Sequence, residues 1–209
     1  MQSQANENVT QTGSSRAAAI ERILTVTGEE AQRVGPERIR MGEIAKRAEV
    51  SRASLYRYFA SKDDLIRAWT TRELDAIFTA ADAVAVATDG DFAERMAASL
   101  AAAIEAMRRH PVFRALVAIN NTQMMRSTLE SGDAVAHAGQ LVQQRLTDAV
   151  RQGELEIGQF DSAVSAELLA RLAISLVVAP ESLSRLDSED DVREFAKRYL
   201  IPLTTAPRD

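Results

Sequence analysis

A pattern of two short helices joined by a sharp turn, over residues 40–62, constrains this chain more than any other feature. Small and apolar residues recur at steps of three and four in the first helix and so share one face; they are Met41, Ile44, Ala45 and Ala48. Glu49 and Val50 form the turn. Ser51 can begin the second helix, because its hydroxyl can accept a hydrogen bond from an unpaired amide of the first turn.

The second short helix presents polar and basic side chains to solvent or to a partner. Leu55 and Phe59 lie four positions apart and can pack inward. The outward face then carries Arg52, Ser54, Tyr56, Arg57 and Tyr58. Ser61 can cap a third helix. A helix pair of this size with arginines, hydroxyls and phenols on its second member is typical of a helix-turn-helix whose recognition helix enters the major groove of DNA.

This stretch resembles the DNA-binding domain of the TetR family of transcriptional regulators. The matching residues are Ile44-Ala45, Ala48, Val50-Ser51, the Leu-Tyr-Arg-Tyr-Phe of 55–59, and Ser61-Lys62 followed by Leu65. The resemblance covers about residues 16–68. The chain departs from the family at Glu49, where glycine is usual, and at Arg40, where threonine is frequent. If position 49 needs a positive φ, a residue other than glycine costs roughly 1 kcal/mol there.

Chemistry and the family pattern together assign roles in DNA binding. Arg52 is the expected base contact, because arginine can bridge O6 and N7 of guanine. The resemblance implies phosphate contacts for Tyr56 and Tyr58. Further contacts to the sugar-phosphate backbone of DNA are expected from Arg40, Ser51, Ser54 and Lys62. The surrounding cations Lys46, Arg47 and Arg57 are equally consistent with plain solvated surface.

The charge distribution agrees with a DNA-binding N-terminal region, although the net charge of the chain is −5. Residues 16–72 contain 12 Lys/Arg and 8 Asp/Glu, an excess of +4, which leaves −9 on the rest of the chain. Basic charge thus lies where the helix-turn-helix lies. The acidic remainder should discourage DNA from binding elsewhere on the molecule.

Composition indicates an all-α, cytoplasmic protein without a cofactor. Five prolines and nine glycines are few, and alanine is abundant. The absence of cysteine excludes disulfides and thiolate zinc sites. Residues 1–13 lack the pattern of a signal peptide, and the apolar segment 163–179 is too short to span a membrane.

The chain is expected to hold about nine helices in two domains. Residues 1–13 are predicted to be a disordered tail, 14–62 the helix-turn-helix domain, and 63–205 a larger helical domain for effector binding and dimerisation. Helices are predicted over 14–34, 62–87, 92–109, 111–119, 134–151, 161–178 and 188–200, with a short helix or irregular connection at 120–131. The helix 62–87 would join the two domains.

Segment 161–178 is apolar around nearly its full circumference, so it should be buried on all sides. It is either the centre of a monomeric bundle or has one side in the protomer core and the other against a second copy. TetR-like proteins pair through their last two helices, which favours the homodimer. The expected interface residues are Val164, Leu168, Leu172, Leu176, Phe195 and Tyr199.

The resemblance also implies a small-molecule effector site in the C-terminal domain. The candidate lining residues are Trp69, Phe78, Met107, Phe113, Leu116, Asn120, Met124 and His137, and most of them could equally be plain core. No charged residue stands out, so an apolar or weakly polar effector is expected. Its binding would release a repressor from a palindromic operator in double-stranded DNA.

Two other classes of function are alternatives to a regulator. A helical enzyme would need catalytic groups, yet His110 and His137 are the only histidines and no phosphate-binding or metal-binding motif occurs. A helical protein-interaction module without DNA binding is the main alternative. Substitutions at positions 52, 56 and 62 would spare partner binding in such a module and abolish DNA binding in a regulator.

Overall fold

The computed structural model describes residues 2–111, 113–114, 133–155, 162–178 and 186–204, with the side chains of the first helix from Ser15 onward. These residues form α-helices with short 3-10 and π-helical turns and contain no strand. The α-helices are α1 (Gln2–Val34), α2 (Met41–Arg47), α3 (Arg52–Tyr58), α4 (Lys62–Ala87), α5 (Phe92–Arg109), α6 (Asp133–Arg151), α7 (Ser162–Val178) and α8 (Glu189–Phe195). The predicted all-α fold is confirmed.

Short polar side chains begin four of these helices at the predicted places. In each case the side-chain oxygen accepts a hydrogen bond from the amide three residues ahead, which satisfies one of the amides that a helix start leaves unpaired. The capping residues are Ser51, Ser61, Asp91 and Ser188. These caps fix where α3, α4, α5 and α8 start.

Helix α1 begins earlier than the sequence predicts. It runs from Gln2 to Val34, and so continues through residues 2–13, which were expected to be a disordered tail. Those residues contain no proline and a single glycine, Gly13, so nothing in them forces a helix to stop. Polarity indicated the tail, but polarity alone does not break a helix.

The N-terminal unit, Met1–Arg72, contains α1, α2, α3 and the first part of α4. Helix α2 contacts both α1 and α3. Buried apolar side chains come from all four helices; the largest are Ile23, Ile44, Leu55, Leu65 and Trp69. The unit extends past residue 62, the predicted domain boundary, because the first turns of α4 supply part of this core.

The C-terminal unit, Glu73–Asp209, contains the rest of α4 and helices α5 to α8. Helix α5 contacts α7, α8 and the π-helical turn after α8. Helices α6 and α7 pack side by side. A Cβ on Gly139 would lie 3.7 Å from the Cα of Glu167, so the glycine brings the two helix backbones close together.

The last helix of the chain does not end at a single boundary. The sequence predicts a helix over 188–200, ending at Pro202, but α8 gives way to a π-helical turn, Ala196–Leu200, and then to a 3-10 turn, Ile201–Thr204. The Ile201 amide donates to the Ala196 carbonyl, the spacing of a π turn. Pro202 has no amide to donate, so the chain can pass through it in a 3-10 turn without losing a hydrogen bond.

Two predicted stretches, 115–119 and 120–131, lie outside the described residues. Within the described part of the chain, no helix combines the length and the apolarity that crossing a bilayer would require.

Candidate nucleic-acid interface and effector region

The turn between α2 and α3 holds Glu49 in a left-handed conformation, with φ of 54°. The Val50 amide donates to the Ala45 carbonyl at 3.0 Å, which closes the turn. Glycine adopts positive φ at little cost, whereas a residue with a Cβ is strained there by about 1–2 kcal/mol. The glutamate at this position therefore weakens the turn, as its departure from the family pattern suggested.

Helix α3 turns one face inward and exposes the other. Leu55 is fully buried and Phe59 is nearly so. Tyr56, on the opposite side, keeps 51% of its surface exposed. Ser51 holds the start of the helix, and its hydroxyl also donates to the Ser54 hydroxyl at 3.0 Å. The helix thus presents its predicted DNA-contacting side to solvent.

Two of the cations expected to meet DNA, Arg52 and Lys62, lie against other parts of the protein in this structure. A Cβ on Gly42 would come within 2.8 Å of Arg52 Nη2, so the Arg52 guanidinium rests on α2 where glycine leaves space. Lys62 Nζ donates to the Glu37 carbonyl oxygen at 2.5 Å. Arg40 occupies the N-cap position of α2 without a side-chain capping bond. Arg52 and Lys62 would have to leave these contacts to reach a duplex, whereas Arg40 is exposed.

Arg47 is not plain solvated surface, because it belongs to an ion-pair network. Its Nη1 donates to Glu30 at 2.8 Å and its Nη2 to Glu29 at 2.6 Å. Glu30 is only 3% exposed and also receives Arg33 Nε at 3.0 Å and Nη2 at 2.6 Å. Hydrogen bonds from Arg33 hold the pKa of Glu30 below its usual value, despite burial, which alone would raise it. The network ties α2 to α1.

Tyr58, the last residue of α3, carries two guanidinium groups near its ring. The Cζ of Arg57 lies 5.3 Å from the ring centroid and the Cζ of Arg16 lies 5.8 Å from it. Both distances are in the range of cation–π contact. Arg16 comes from α1, and no motif in the sequence pointed to it.

The candidate effector residues divide between the two units. Trp69 is buried in the N-terminal unit, and its indole nitrogen would lie 2.9 Å from a Cβ on Gly28 of α1. Phe78 and Met107 are buried in one apolar cluster of the C-terminal unit, and Phe113 packs against it. Leu116, Asn120 and Met124 lie outside the described residues.

Both histidines pair with acidic residues of α4. His137 Nε2 lies 2.7 Å from Asp75 Oδ1. His110 Nε2 lies 3.2 Å from Glu73 Oε2, and the His110 ring packs on Phe113 with a centroid distance of 5.4 Å. His137 therefore already has a polar partner from within its own unit.

A largely buried arginine, which the sequence analysis missed, ties three helices of the C-terminal unit together. Arg145 of α6 donates to the Ser99 hydroxyl at 2.7 Å and to the Phe78 carbonyl at 3.1 Å, and it pairs with Asp82. Burial lowers the pKa of Arg145, and Asp82 opposes that effect. Because Asp82 matches its charge, Arg145 is not an unpaired cation awaiting an anionic ligand.

Helix α7 is buried on one half of its circumference and exposed on the other. The exposed half carries an apolar stripe at four-residue spacing, formed by Val164, Leu168 and Leu172, which keep 55%, 45% and 39% of their surface exposed. Tyr199 is also exposed, with its ring 5.0 Å from that of Phe195. Leu176 and Phe195 are partly buried and pack against the protomer core instead.

Comparison with known proteins agrees with the resemblance to TetR-type regulators. Residues 23–69 match the sequence model of the bacterial regulatory proteins of the tetR family. The HTH-type transcriptional repressor KstR of Mycolicibacterium smegmatis is 29% identical over 195 residues, which cover 90% of this chain and 89% of KstR.

Solved structures share the fold at low sequence identity. The TetR-family repressor AlkX of Dietzia sp. strain DQ12-45-1b, implicated in the biodegradation of n-alkanes, gives a TM-score of 0.68 at 18% identity over 88% of this chain and 98% of AlkX. RolR in complex with its ligand resorcinol gives 0.66 at 16% identity over 93% of this chain and 91% of RolR. KstR and AlkX are repressors, a class of DNA-binding regulator and not of enzyme. The match over residues 23–69 and the relative that spans most of the sequence make the chain similar to the TetR family of transcriptional regulators.

Proposed function

We propose that this regulator is a homodimeric repressor that binds a palindromic operator through α3 and is released when a small apolar or weakly polar molecule binds its C-terminal unit. The observation that carries the proposal is the two-sided character of α3. Leu55 anchors one side in the core, while the side with Tyr56 faces solvent. A short capped helix with that division suits insertion into a major groove.

The proposed contacts to DNA are of two kinds: contacts to base edges, which give sequence preference, and contacts to phosphates, which position the protein on the duplex. Arg52 lies at the N-terminal end of α3, the end of a recognition helix that meets base edges, and its guanidinium can bridge a guanine. Tyr56, Tyr58 and Lys62 hold phosphates, and Arg40, Ser51 and Ser54 add backbone contacts. On binding, a guanine replaces Gly42 as the neighbour of Arg52, and a phosphate replaces the Glu37 carbonyl as the acceptor for Lys62.

The apolar stripe of α7 supports a dimer that sets the spacing of the two recognition helices. Val164, Leu168 and Leu172 form a continuous exposed row that a second copy would cover. Tyr199 extends the apolar surface on the last helix, and Phe195 and Leu176 support it from within the core. A two-fold axis would place the recognition helices about 34–36 Å apart, one turn of DNA.

The effector proposal rests on the lining of the C-terminal unit. Phe78, Met107 and Phe113 offer apolar surface, methionine adapts to varied ligands, and His137 with Asp75 could orient a polar group. Arg145 is matched by Asp82, which favours a ligand without a carboxylate. RolR, which shares the fold, is known with resorcinol, a weakly polar ring. A DNA-release screen over alkanes, phenols and carboxylates tests the class; release by carboxylates alone would overturn it.

Two substitutions test whether Arg52 contacts bases and Lys62 contacts a phosphate. Binding to an operator selected from random duplexes, and to random duplex itself, is followed by fluorescence anisotropy at several salt concentrations. Arg52→Ala should weaken operator binding and reduce base preference, whereas Lys62→Ala should weaken both duplexes equally and flatten the salt dependence. Lys46→Ala, an exposed lysine of α2, is the matched control for charge.

The outcome of this experiment also separates a regulator from a protein-interaction module. A module without DNA affinity would bind neither duplex, and its wild-type and substituted chains would behave alike. Equal loss of base preference from Arg52→Ala and Lys62→Ala would contradict the assignment of reading to one and positioning to the other.

A further inference from the structure

Two positively charged guanidinium groups lie near the ring of Tyr58, at the C-terminal end of α3. Arg57 Cζ and Arg16 Cζ both lie within 6 Å of the ring centroid, at 5.3 and 5.8 Å. Arg57 Nη2 also lies 3.5 Å from the Tyr58 hydroxyl oxygen. One guanidinium therefore comes from α3 itself and the other from α1, more than forty residues earlier in the chain.

The charge of this cluster is not neutralised within the protein. Among the side chains that the structure describes, neither Arg16 nor Arg57 contacts a carboxylate. Arg47, in the same unit, shows the contrast, because it is paired with two glutamates. Two cations at one ring repel each other, and cation–π attraction at an exposed site offsets this by only about 0.5–1 kcal/mol per contact. An anion in contact with both guanidinium groups would offset this repulsion.

We propose that Arg16, Arg57 and the Tyr58 hydroxyl together bind a backbone phosphate of duplex DNA, so that α1 takes part in the DNA interface. This site rests on the proposed DNA-binding function. Guanidinium and phenol groups supply only hydrogen-bond donors to an oxyanion, and arginine can bind a phosphate with two parallel bonds. Arg16 is exposed, so a phosphate can reach it without any rearrangement of the core.

The position of the cluster indicates a phosphate rather than a base as its ligand. Recognition helices read base edges with their N-terminal residues, and Tyr58 is the C-terminal residue of α3. Phosphate contacts fix the protein's position on the duplex but carry no sequence information directly. Loss of Arg16 should therefore lower affinity for every duplex by the same factor.

The salt dependence of DNA binding tests the site without knowledge of the operator. Binding of the full chain to a random-sequence duplex is measured by anisotropy as salt is varied. Each phosphate contact that is lost should flatten the slope of log K against log salt by about 0.9, and so by about 1.8 for both copies in a dimer. Arg16→Gln should show that change, with a loss of affinity of roughly two- to thirtyfold. Arg16→Lys, which restores the charge, should recover most of the slope.

Arg22→Gln is the matched control. Arg22 is exposed on α1, and helical geometry turns it about 120° away from Arg16. Its removal should leave the slope within error of wild type. Urea unfolding should give the same midpoint for Arg16→Gln as for wild type, which separates a DNA contact from a role in folding.

The failure of this inference differs from the failure of the proposed function. If wild type binds no duplex, DNA binding and this site are both overturned. If wild type binds but Arg16→Gln keeps its slope and affinity, only the phosphate site is overturned. An equal change from Arg22→Gln would also overturn it, because the effect would then come from overall charge and not from the Tyr58 cluster.

Discussion

Replacing Arg47 by methionine should destabilise the N-terminal unit by about 2 kcal/mol. Arg47 supplies one of the three arginine hydrogen bonds to Glu30, which is 3% exposed. A hydrogen bond to a charged group contributes about 1.5–3 kcal/mol, and a buried charge left without any partner costs about 3–5 kcal/mol. Arg33 stays in place after the substitution, so the lower range applies.

Urea unfolding followed by tryptophan fluorescence measures this effect in the right part of the molecule. Trp69 is the only tryptophan and is buried in the N-terminal unit. Arg22→Met is the control, because Arg22 is an exposed arginine of α1 that forms no ion pair in the described part of the chain. Its unfolding free energy should stay within about 0.5 kcal/mol of wild type. Equal stabilities for Arg47→Met and Arg22→Met would refute the argument that the network supports the unit.

The pH dependence of stability provides a second test of the same network. Arginine hydrogen bonds hold the pKa of Glu30 below its ordinary value of 4.5. The folded state then takes up this proton less readily than the unfolded chain, so the stabilisation is complete above the ordinary pKa and is lost as pH falls through the folded pKa. The stability difference between wild type and Glu30→Gln should therefore shrink in acid. A difference that stays constant from neutral pH into strong acid would contradict the assignment.

Three further substitutions test separate features of the structure. Glu49→Gly removes the positive-φ strain and should stabilise the chain by about 0.5–1 kcal/mol in the Trp69 assay, after the entropy cost of glycine, whereas Glu49→Gln should not. Arg40→Ser adds the missing cap of α2 and should raise stability by about 1 kcal/mol while lowering DNA affinity; a rise in both would exclude Arg40 from the interface. Leu172→Arg places a charge in the apolar stripe of α7 and should yield monomers by sedimentation; a stable dimer would show that the interface lies elsewhere.

Features set by neighbouring residues were predictable from the sequence. The start of α3 follows from Ser51, whose hydroxyl captures an amide three residues ahead. The positive φ of Glu49 follows from the need for a tight turn between two short helices, and the departure from glycine pointed to it. The apolar circumference of segment 161–178 predicted burial on all sides, but one half of α7 is exposed in the protomer.

Features that depend on how distant helices meet were not predictable in the same way. The sequence contains one signal for the buried ion pair, because Glu30 continues the inward-facing series of Ile23 and Thr27 on α1. Its partner Arg47 lies 17 residues away and is identified only by the crossing of α1 and α2. Arg16 beside Tyr58 is a longer-range case of the same kind. Trp69 was expected at an effector site, but its indole packs against Gly28 in the core of the N-terminal unit.

Targeted cleavage of DNA from a single position on α3 tests the central claim most directly. The chain has no cysteine, so Ala53→Cys, at an exposed position of α3, can carry one iron–EDTA group. Bound to an operator selected from random duplexes, this protein should cut the DNA in two clusters about one helical turn apart. The same label at Val86→Cys, an exposed position of the C-terminal unit, should give weak and diffuse cutting. Cutting from position 53 that is no more focused than that from position 86 would contradict the placement of α3 in the major groove.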